Sequence, residues 1–272
     1  MNQDDELTTF GSEPIRAIHL TRSPLVRVLA QIRWAPMTSF DLENTVSTFA
    51  PLIGSTYPLR ETQQEVSFLV TPDGVKQQDG GRIHQFVSAD DAWKVSVADG
   101  HISLETSAYL SRDDFTERLT AILDAWKQCV NIPRVVRIGY RYTNRIDRPE
   151  DYAVLSELVT PLVLGGINVP TDDSVTFLQS TGESAFGIES GMLVARWAQL
   201  APNSTVDPTL PPSENKSWVL DIDAFREARL PFDTEAIVAE ARRLAQSAYR
   251  FMRTVTTDRF TTHFGGETNA NS

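Results

Sequence analysis

The chain has 272 residues, of which 41% are hydrophobic, enough for one large core or two smaller ones. Its formal net charge of -11 disfavours a general nucleic-acid binder, because phosphate neutralisation requires an excess of Lys and Arg. Cys129 is the only cysteine, which excludes a disulfide framework and a thiolate metal cluster. No apolar run approaches the roughly 20 residues of a membrane-spanning helix, and the N-terminus is acidic, so we expect a cytoplasmic protein.

A first strand is predicted at Leu25–Trp34. Apolar residues alternate along it with a second set that contains Arg27 and Arg33, which is the period-2 pattern of a half-buried strand. We therefore expect one face to point towards a core and the other to carry guanidinium groups.

Between residues 41 and 133 the sequence predicts two helices with strands between them. Asp41 has the residue type and position of an N-cap, and the helix that follows is expected to end at Pro51 and Gly54. The remaining expected elements are strands at Glu65–Val70 and His84–Ser88, a hairpin that turns at Asp99 and Gly100, and a helix capped by Ser111 or Asp113 that ends before Pro133.

The clearest strand of the chain is predicted at Val135–Ile146. Its apolar and aromatic residues alternate with a set that contains Arg137, Arg141 and Arg145. Since the first strand has the same pattern, we expect the two to be neighbours in a sheet, with the apolar face inward and the arginines turned out to solvent.

The second half has the same order of elements as the first, with strands followed by a long helix. Residues 148–170 have the pattern of a connector, and 201–215 form a loop with four prolines. The expected elements are strands at Ser174–Gln179, Met192–Gln199 and Ser217–Ile222, and a helix over about Asp233–Val255.

This order of elements predicts an α+β fold made of two similar halves. Each half is expected to be a curved, mostly antiparallel sheet packed on a long helix. The halves are residues 1–147 and 148–272, and the shared cadence suggests that the second is a degenerate repeat of the first.

The arginine row is the first candidate site. Residues four apart on a strand are separated by about 13 Å, so Arg137, Arg141 and Arg145 need neighbours to enclose one anion. Arg27 and Arg33 are able to supply them, and the resulting surface would favour an anionic ligand or a partner protein. The alternative is that these arginines are solvated and paired with some of the 36 acidic residues.

Asp221 and Asp223 are the second candidate. Alternation puts them on one face about 7 Å apart, a spacing that suits Mg²⁺, yet hard cations need more oxygens than two carboxylates provide. The alternative is a pair of solvent-facing acids on an edge strand. The four histidines lack zinc-site spacing, and no nucleophile elbow or phosphate-binding loop is present, so we expect no catalytic residue, metal or cofactor.

The five tryptophans, Trp34, Trp93, Trp126, Trp197 and Trp218, fall in predicted strands or on a helix stripe. We expect them to pack in the core. The alternative is that they line a ligand cavity between a sheet and a helix.

Four segments together resemble a sporadically distributed prokaryotic protein family of similar length and undefined function. They are PLVRVLAQIRWAP (24–36), RIGYRYTNRI (137–146), LDIDAF (220–225) and the helix that runs into AQSAYRFMRTVTTDRFTTHFGGE (245–267). The resemblance spans the whole chain. A patchy distribution implies an accessory gene of the kind found in phage-defence and toxin-antitoxin loci, and the resemblance implies no site residues.

We therefore expect a non-catalytic cytoplasmic protein that binds another macromolecule, as the partner or sensor component of a defence-type locus. A protein partner is favoured, and an acidic surface suits a basic one. Nucleic acid is expected only at a local arginine face, and no membrane is expected. Two alternatives stay open: a small-molecule or lipid-binding domain, and a metal-dependent enzyme that acts on nucleotides through Asp221 and Asp223.

Overall fold

The computed structural model describes residues 17–71, 74–168, 172, 174–175, 177–189 and 191–266. The protein is α+β, with a large antiparallel sheet and six α-helices in the described residues. The strands are β1 Leu25–Trp34, β2 Leu59–Thr71, β3 Gly74–Val87, β4 Trp93–Ala98, β5 His101–Thr106, β6 Val135–Ile146, β7 Ser180–Ile188, β8 Gly191–Leu200 and β9 Ser217–Leu230. The helices are α1 Leu42–Ile53, α2 Arg112–Cys129, α3 Pro149–Tyr152, α4 Leu155–Leu158, α5 Thr234–Val255 and α6 Asp258–His263, with 3₁₀ turns at Pro161–Val163 and Gly165–Asn168.

The chain divides into two compact units built from interleaved segments. The first, here called the β1 unit, consists of residues 27–140 and 225–242. The second, the β8 unit, consists of the described residues of 1–26, 141–224 and 243–272. Strands β6 and β9 and helix α5 each contribute residues to both units. The division into residues 1–147 and 148–272 stays a prediction.

In the β1 unit the strand order is β2-β3-β4-β5-β1-β6, so the two arginine-bearing strands are neighbours as predicted. The hairpin β4–β5 turns at Asp99 and Gly100, also as predicted. Asp41 caps α1 by accepting from the backbone N–H of Asn44, and Ser111 caps α2 by accepting from that of Asp114. Trp126 of α2 stacks on Trp34 of β1 with ring centroids 5.8 Å apart and meets Phe49 of α1 edge-on, so aromatic packing fills this core.

In the β8 unit the strand order is β6-β9-β8-β7. Strands β7 and β8 pair antiparallel without a register shift, and Glu183 lies opposite Arg196. The predicted inner face of β6 is dry, since Tyr142 and Ile146 are buried. A buried hydrogen bond joins β8 to the segment before β7, because the side-chain amide of Gln199 donates to the carbonyl oxygen of Leu164.

Several sequence predictions were wrong in detail. The described residues between Ser174 and Gln179 are not a strand; the strand begins at Ser180, where pairing with Gln199 of β8 begins. Pro51 lies inside α1 rather than at its end. Strand β9 extends to Leu230, beyond its predicted end at Ile222. The connector predicted at 148–170 has apolar residues at helix-like spacing, and in agreement with this it contains α3, α4 and the two 3₁₀ turns. The sequence also predicts a turn at Pro72, Asp73 and Gly74; Pro72 and Asp73 lie outside the described residues, and β3 begins at Gly74.

None of the helices in the described part of the chain is long and apolar enough to cross a membrane.

Candidate functional site

Two of the candidate residues meet in the β8 unit. Arg141 on β6 donates through Nε to Oδ1 of Asp221 on β9, with 2.5 Å between the atoms. The hydroxyl of Thr143, two residues along β6, donates to the same oxygen at 3.1 Å. Alternation puts both β6 side chains on one face of the strand, so one buried carboxylate oxygen is shared by two neighbours. We call this side of β6, β9 and β8 the arginine face.

A proline-rich loop, residues 201–216, is fastened to the arginine face by two arginines. Arg141 donates through Nη2 to Oδ2 of Asp207 at 2.9 Å, and Arg145 donates through Nη1 to the carbonyl oxygen of Pro211 at 2.8 Å. Beneath the loop lies a small buried cluster of apolar side chains on β8 and β9, formed by Ala198, Leu200 and Val219. The predicted arginine row is therefore partly used to hold a segment of the same chain.

Between this loop and strands β6 to β9 lies a cleft of about 390 Å³. Its walls combine charged side chains with apolar ones. The lining residues are Arg141, Thr143, Thr181, Gly182, Glu183, Arg196, Trp197, Ala198, Val206, Asp207, Leu210, Val219 and Asp221. Two guanidinium groups face three carboxylates, so the formal charge of the lining is one negative.

Arg141 is held firmly in its charged form. Burial on its own lowers the pKa of the guanidinium, but the hydrogen bond to Asp221 and the negative charges of Asp221 and Asp207 outweigh burial. The pKa of Arg141 is therefore raised above its ordinary value, and the ion pair persists across the physiological range.

Asp221 has one oxygen that its neighbours do not satisfy. Its side chain is only 7% exposed, and Oδ2 has no hydrogen bond from any described residue. Nη1 of Arg196 lies 3.9 Å from Oδ2, an ion-pair distance too long for a hydrogen bond. A buried acceptor without a donor costs about 1 to 3 kcal/mol, so this atom has a strong preference for a donor.

Arg196 forms an exposed wall of the cleft. Its Nε donates to Oε2 of Glu183 across the β7–β8 pair at 2.6 Å, and its side chain is 50% exposed. An exposed ion pair of this kind is worth only about 0 to 1 kcal/mol, so the contact with Glu183 holds the guanidinium in place only weakly.

Trp197 forms the floor at the other end of the cleft. Its indole lies directly over Gly182, and a Cβ at that position would collide with the ring. Glycine is therefore required there by the close approach of the tryptophan. Trp34, Trp93, Trp126 and Trp218 are buried as predicted, whereas Trp197 is only half-buried and lines the cleft.

The other candidate arginines lie in the β1 unit. Arg27 is 5% exposed, so the prediction that it faces solvent was wrong. Arg33 is exposed and donates to Gln31 at 2.7 Å. Arg137 lies over the ring of Phe225, 4.4 Å from its centroid, in the space left by Gly139.

The two candidate metal ligands have different environments. Asp221 is buried on a strand that has neighbours on both sides, so the expectation of solvent-facing acids on an edge strand was wrong. Asp223 is half-buried two residues further along β9. Within the part of the chain that the structure describes, no three His, Cys, Asp or Glu side chains are grouped to hold a metal ion.

The sequence analysis missed Glu183, Arg196 and Asp207. Glu183 lies on a strand that was not predicted, and Asp207 lies in the loop. The alternation of β8 was visible, yet nothing in it indicated that Arg196 approaches Asp221. Only the pairing of β7 with β8 and the path of the loop bring these groups together.

No family model matches the chain, and no curated protein matches it. Membership of the sporadically distributed prokaryotic family therefore stays a prediction based on the four segments.

Proposed function

We propose that this is a non-catalytic binding protein and that the cleft on the arginine face is its ligand site. The ligand group is a positively charged N–H donor, an amine or guanidine, on an apolar stem. The donor replaces the guanidinium of Arg196 beside Asp221, and the stem lies against Val206 and Leu210 of the loop.

The observation that carries the proposal is the unsatisfied Oδ2 of Asp221. Among the buried side-chain N and O atoms of the residues that line the cleft, it is the only one without a hydrogen bond. The missing partner is therefore a donor, which favours a ligand rich in N–H groups over one rich in acceptors.

Charge and volume support the same ligand class. The lining has one more carboxylate than guanidinium groups, so a cation gains and an anion loses electrostatic energy on entry. The volume of about 390 Å³ falls at the lower end of the range of about 300 to 1,000 Å³ that is typical of small-molecule sites. A short alkyl chain with one charged end fits within such a space.

The metal-dependent alternative finds less support. The Oδ1 oxygen that a cation would need is occupied by Arg141 and Thr143. Phosphate groups would also meet three carboxylates in the same cleft. Both observations favour binding over nucleotide chemistry.

Binding of n-butylguanidinium tests the proposal, measured by isothermal titration calorimetry beside n-butanol and butyrate. We expect butylguanidinium to bind most tightly of the three. Asp221→Asn keeps the shape of the side chain and should weaken binding about tenfold or more, equivalent to about 1.4 kcal/mol. The matched control is Asp223→Asn, on the same face of the same strand but outside the cleft lining, and its affinity should stay within about threefold of wild type, or about 0.6 kcal/mol.

A series of alkylguanidinium ions tests the apolar stem. Each added methylene that reaches Val206 and Leu210 should improve binding by up to about 0.8 kcal/mol until the cleft is full. Tighter binding of butyrate than of butylguanidinium, or an unchanged affinity in Asp221→Asn, would contradict the proposal.

Three predictions remain part of the proposal. One is the organisation in two similar halves, each a curved sheet on a long helix. It is supported by contact between Phe115 of α2 and Tyr140 of β6 in the β1 unit, and between Phe251 of α5 and Phe186 of β7 in the β8 unit. The others are a cytoplasmic location and a role as the binding or sensing component of a defence-type locus.

A further inference from the structure

We infer that an extended segment of a basic partner protein adds to the outer edge of β7 and that one of its Lys or Arg side chains enters the cleft. The inference deepens the proposed function and rests on it. The ligand in the cleft is then a Lys or Arg side chain of a protein instead of a free amine or guanidine.

The edge of β7 is suited to strand addition. Its nine residues pair with β8 in an unbroken register from Ser180 to Ile188, and no other described strand pairs with its outer side. Regular edges of this length present alternate backbone N–H and C=O groups to a new strand. The usual protective devices, a proline, a lysine or a bulge, do not occur within β7.

Glu183 sets the position of the basic side chain. It is the one charged residue within β7, lies near the strand centre, has a 55% exposed side chain and lines the cleft. In an added strand, the residue directly opposite has its Cβ about 4.5 to 5.5 Å away on the same face. A Lys or Arg there pairs with Glu183 in place of Arg196, at the side of the cleft that β7 forms.

The total charge of the chain favours the same partner. A net charge of -11 attracts a basic protein and raises its association rate. Strand addition then supplies the affinity through backbone hydrogen bonds, and the cleft supplies specificity for the side chain.

The test is a capped nine-residue peptide of alternating threonine and valine around a central arginine, titrated against the full chain beside n-butylguanidinium. We expect the peptide to bind at least about tenfold more tightly than butylguanidinium, because it adds backbone hydrogen bonds. Replacing the arginine by citrulline, its neutral isostere, or Glu183 by glutamine should remove most of this affinity.

N-methylation of the peptide distinguishes strand addition from other modes of binding. In a strand at a sheet edge only every second N–H points to the neighbour. N-methyl groups on the nitrogens that face β7 should therefore abolish binding. N-methyl groups on the alternate nitrogens, which face away, should leave the dissociation constant within about threefold of that of the unmethylated peptide. A peptide no tighter than butylguanidinium, or two N-methylated sets that bind equally, overturns the inference and leaves the proposed function standing. Absence of butylguanidinium binding overturns both.

Discussion

Arg141 and Asp221 form an ion pair that joins β6 to β9 inside the β8 unit, with 2.5 Å between Nε and Oδ1. The carboxylate is buried, and the guanidinium also holds Asp207 of the loop. This one arginine therefore both neutralises a buried charge and fixes a wall of the cleft.

Loss of this arginine should destabilise the protein. Arg141→Met leaves buried Asp221 with one hydrogen bond from the described residues, that of Thr143, and with Arg196 at 3.9 Å, and we expect the free energy of unfolding in urea to fall by about 3 kcal/mol. The double variant Arg141→Met with Asp221→Asn also removes the buried negative charge and should recover part of the lost free energy of unfolding. Arg33→Met, at an exposed arginine of a neighbouring strand, should stay within about 0.5 kcal/mol of wild type. Equal losses in the single and double variants would contradict the explanation.

His101 should make stability depend on pH in the acid range. Burial, with a smaller contribution from the charge of Arg33, lowers the pKa of His101 from 6.5 to about 4. As the pH falls, the unfolded chain binds this proton near 6.5 and the folded chain only near 4. Stability is therefore lost between these values, by at most about 3 kcal/mol.

The measurement is the free energy of unfolding at several pH values between 7 and 4, for wild type and His101→Gln. The variant should have a shallower decline, because its side chain does not titrate. His19→Gln, at an exposed histidine, should follow the wild type. Parallel curves for wild type and His101→Gln would show that burial of His101 does not penalise its charged form.

Gly182→Ala should strain the cleft floor. The added Cβ collides with the indole of Trp197, which must move, and we expect a loss of about 1 to 3 kcal/mol together with a change in tryptophan fluorescence. Gly187→Ala, on the same strand, meets no atom within 4 Å and should leave both properties unchanged. Similar effects of the two substitutions would contradict the assigned role of Trp197.

Removal of His263 should loosen the end of the described chain. Its Nε2 lies 2.6 Å from Oδ1 of buried Asp151, and the guanidinium of Arg22 is 3.8 Å from the same oxygen. His263→Ala leaves the carboxylate short of a hydrogen bond, and we expect the free energy of unfolding to fall by about 1 to 3 kcal/mol. His263→Gln, which keeps a donor, should lose less. A wild-type melting temperature in His263→Ala would show that Arg22 alone satisfies Asp151.

Local signals in the sequence predicted the elements that depend on neighbouring residues. Asp41 and Ser111 cap helices because their short polar side chains accept from backbone N–H groups three residues on. The turn at Asp99 and Gly100 likewise depends on adjacent residues alone.

The cleft was beyond such reasoning because it depends on distant contacts. Arg141 reaches Asp207 and Asp221 across 66 and 80 positions of the sequence. Strand β7 was missed because most of its residues are small or polar, and the neighbouring SVTFLQ segment has stronger strand propensity. Propensity is a weak guide where pairing with β8, rather than burial of its own side chains, holds a strand in place.

Arg145 holds the loop through the main-chain oxygen of Pro211, and this has a practical consequence. Every amino acid has a main-chain carbonyl oxygen, so any residue at position 211 can accept this hydrogen bond as long as the backbone keeps its path. Foreign sequence grafted around Pro211 should stay anchored, whereas a graft that replaces Asp207 removes the only side-chain tether to Arg141 in the described loop. The loop is thus a site where protein engineers can insert foreign sequence, provided that Asp207 is kept.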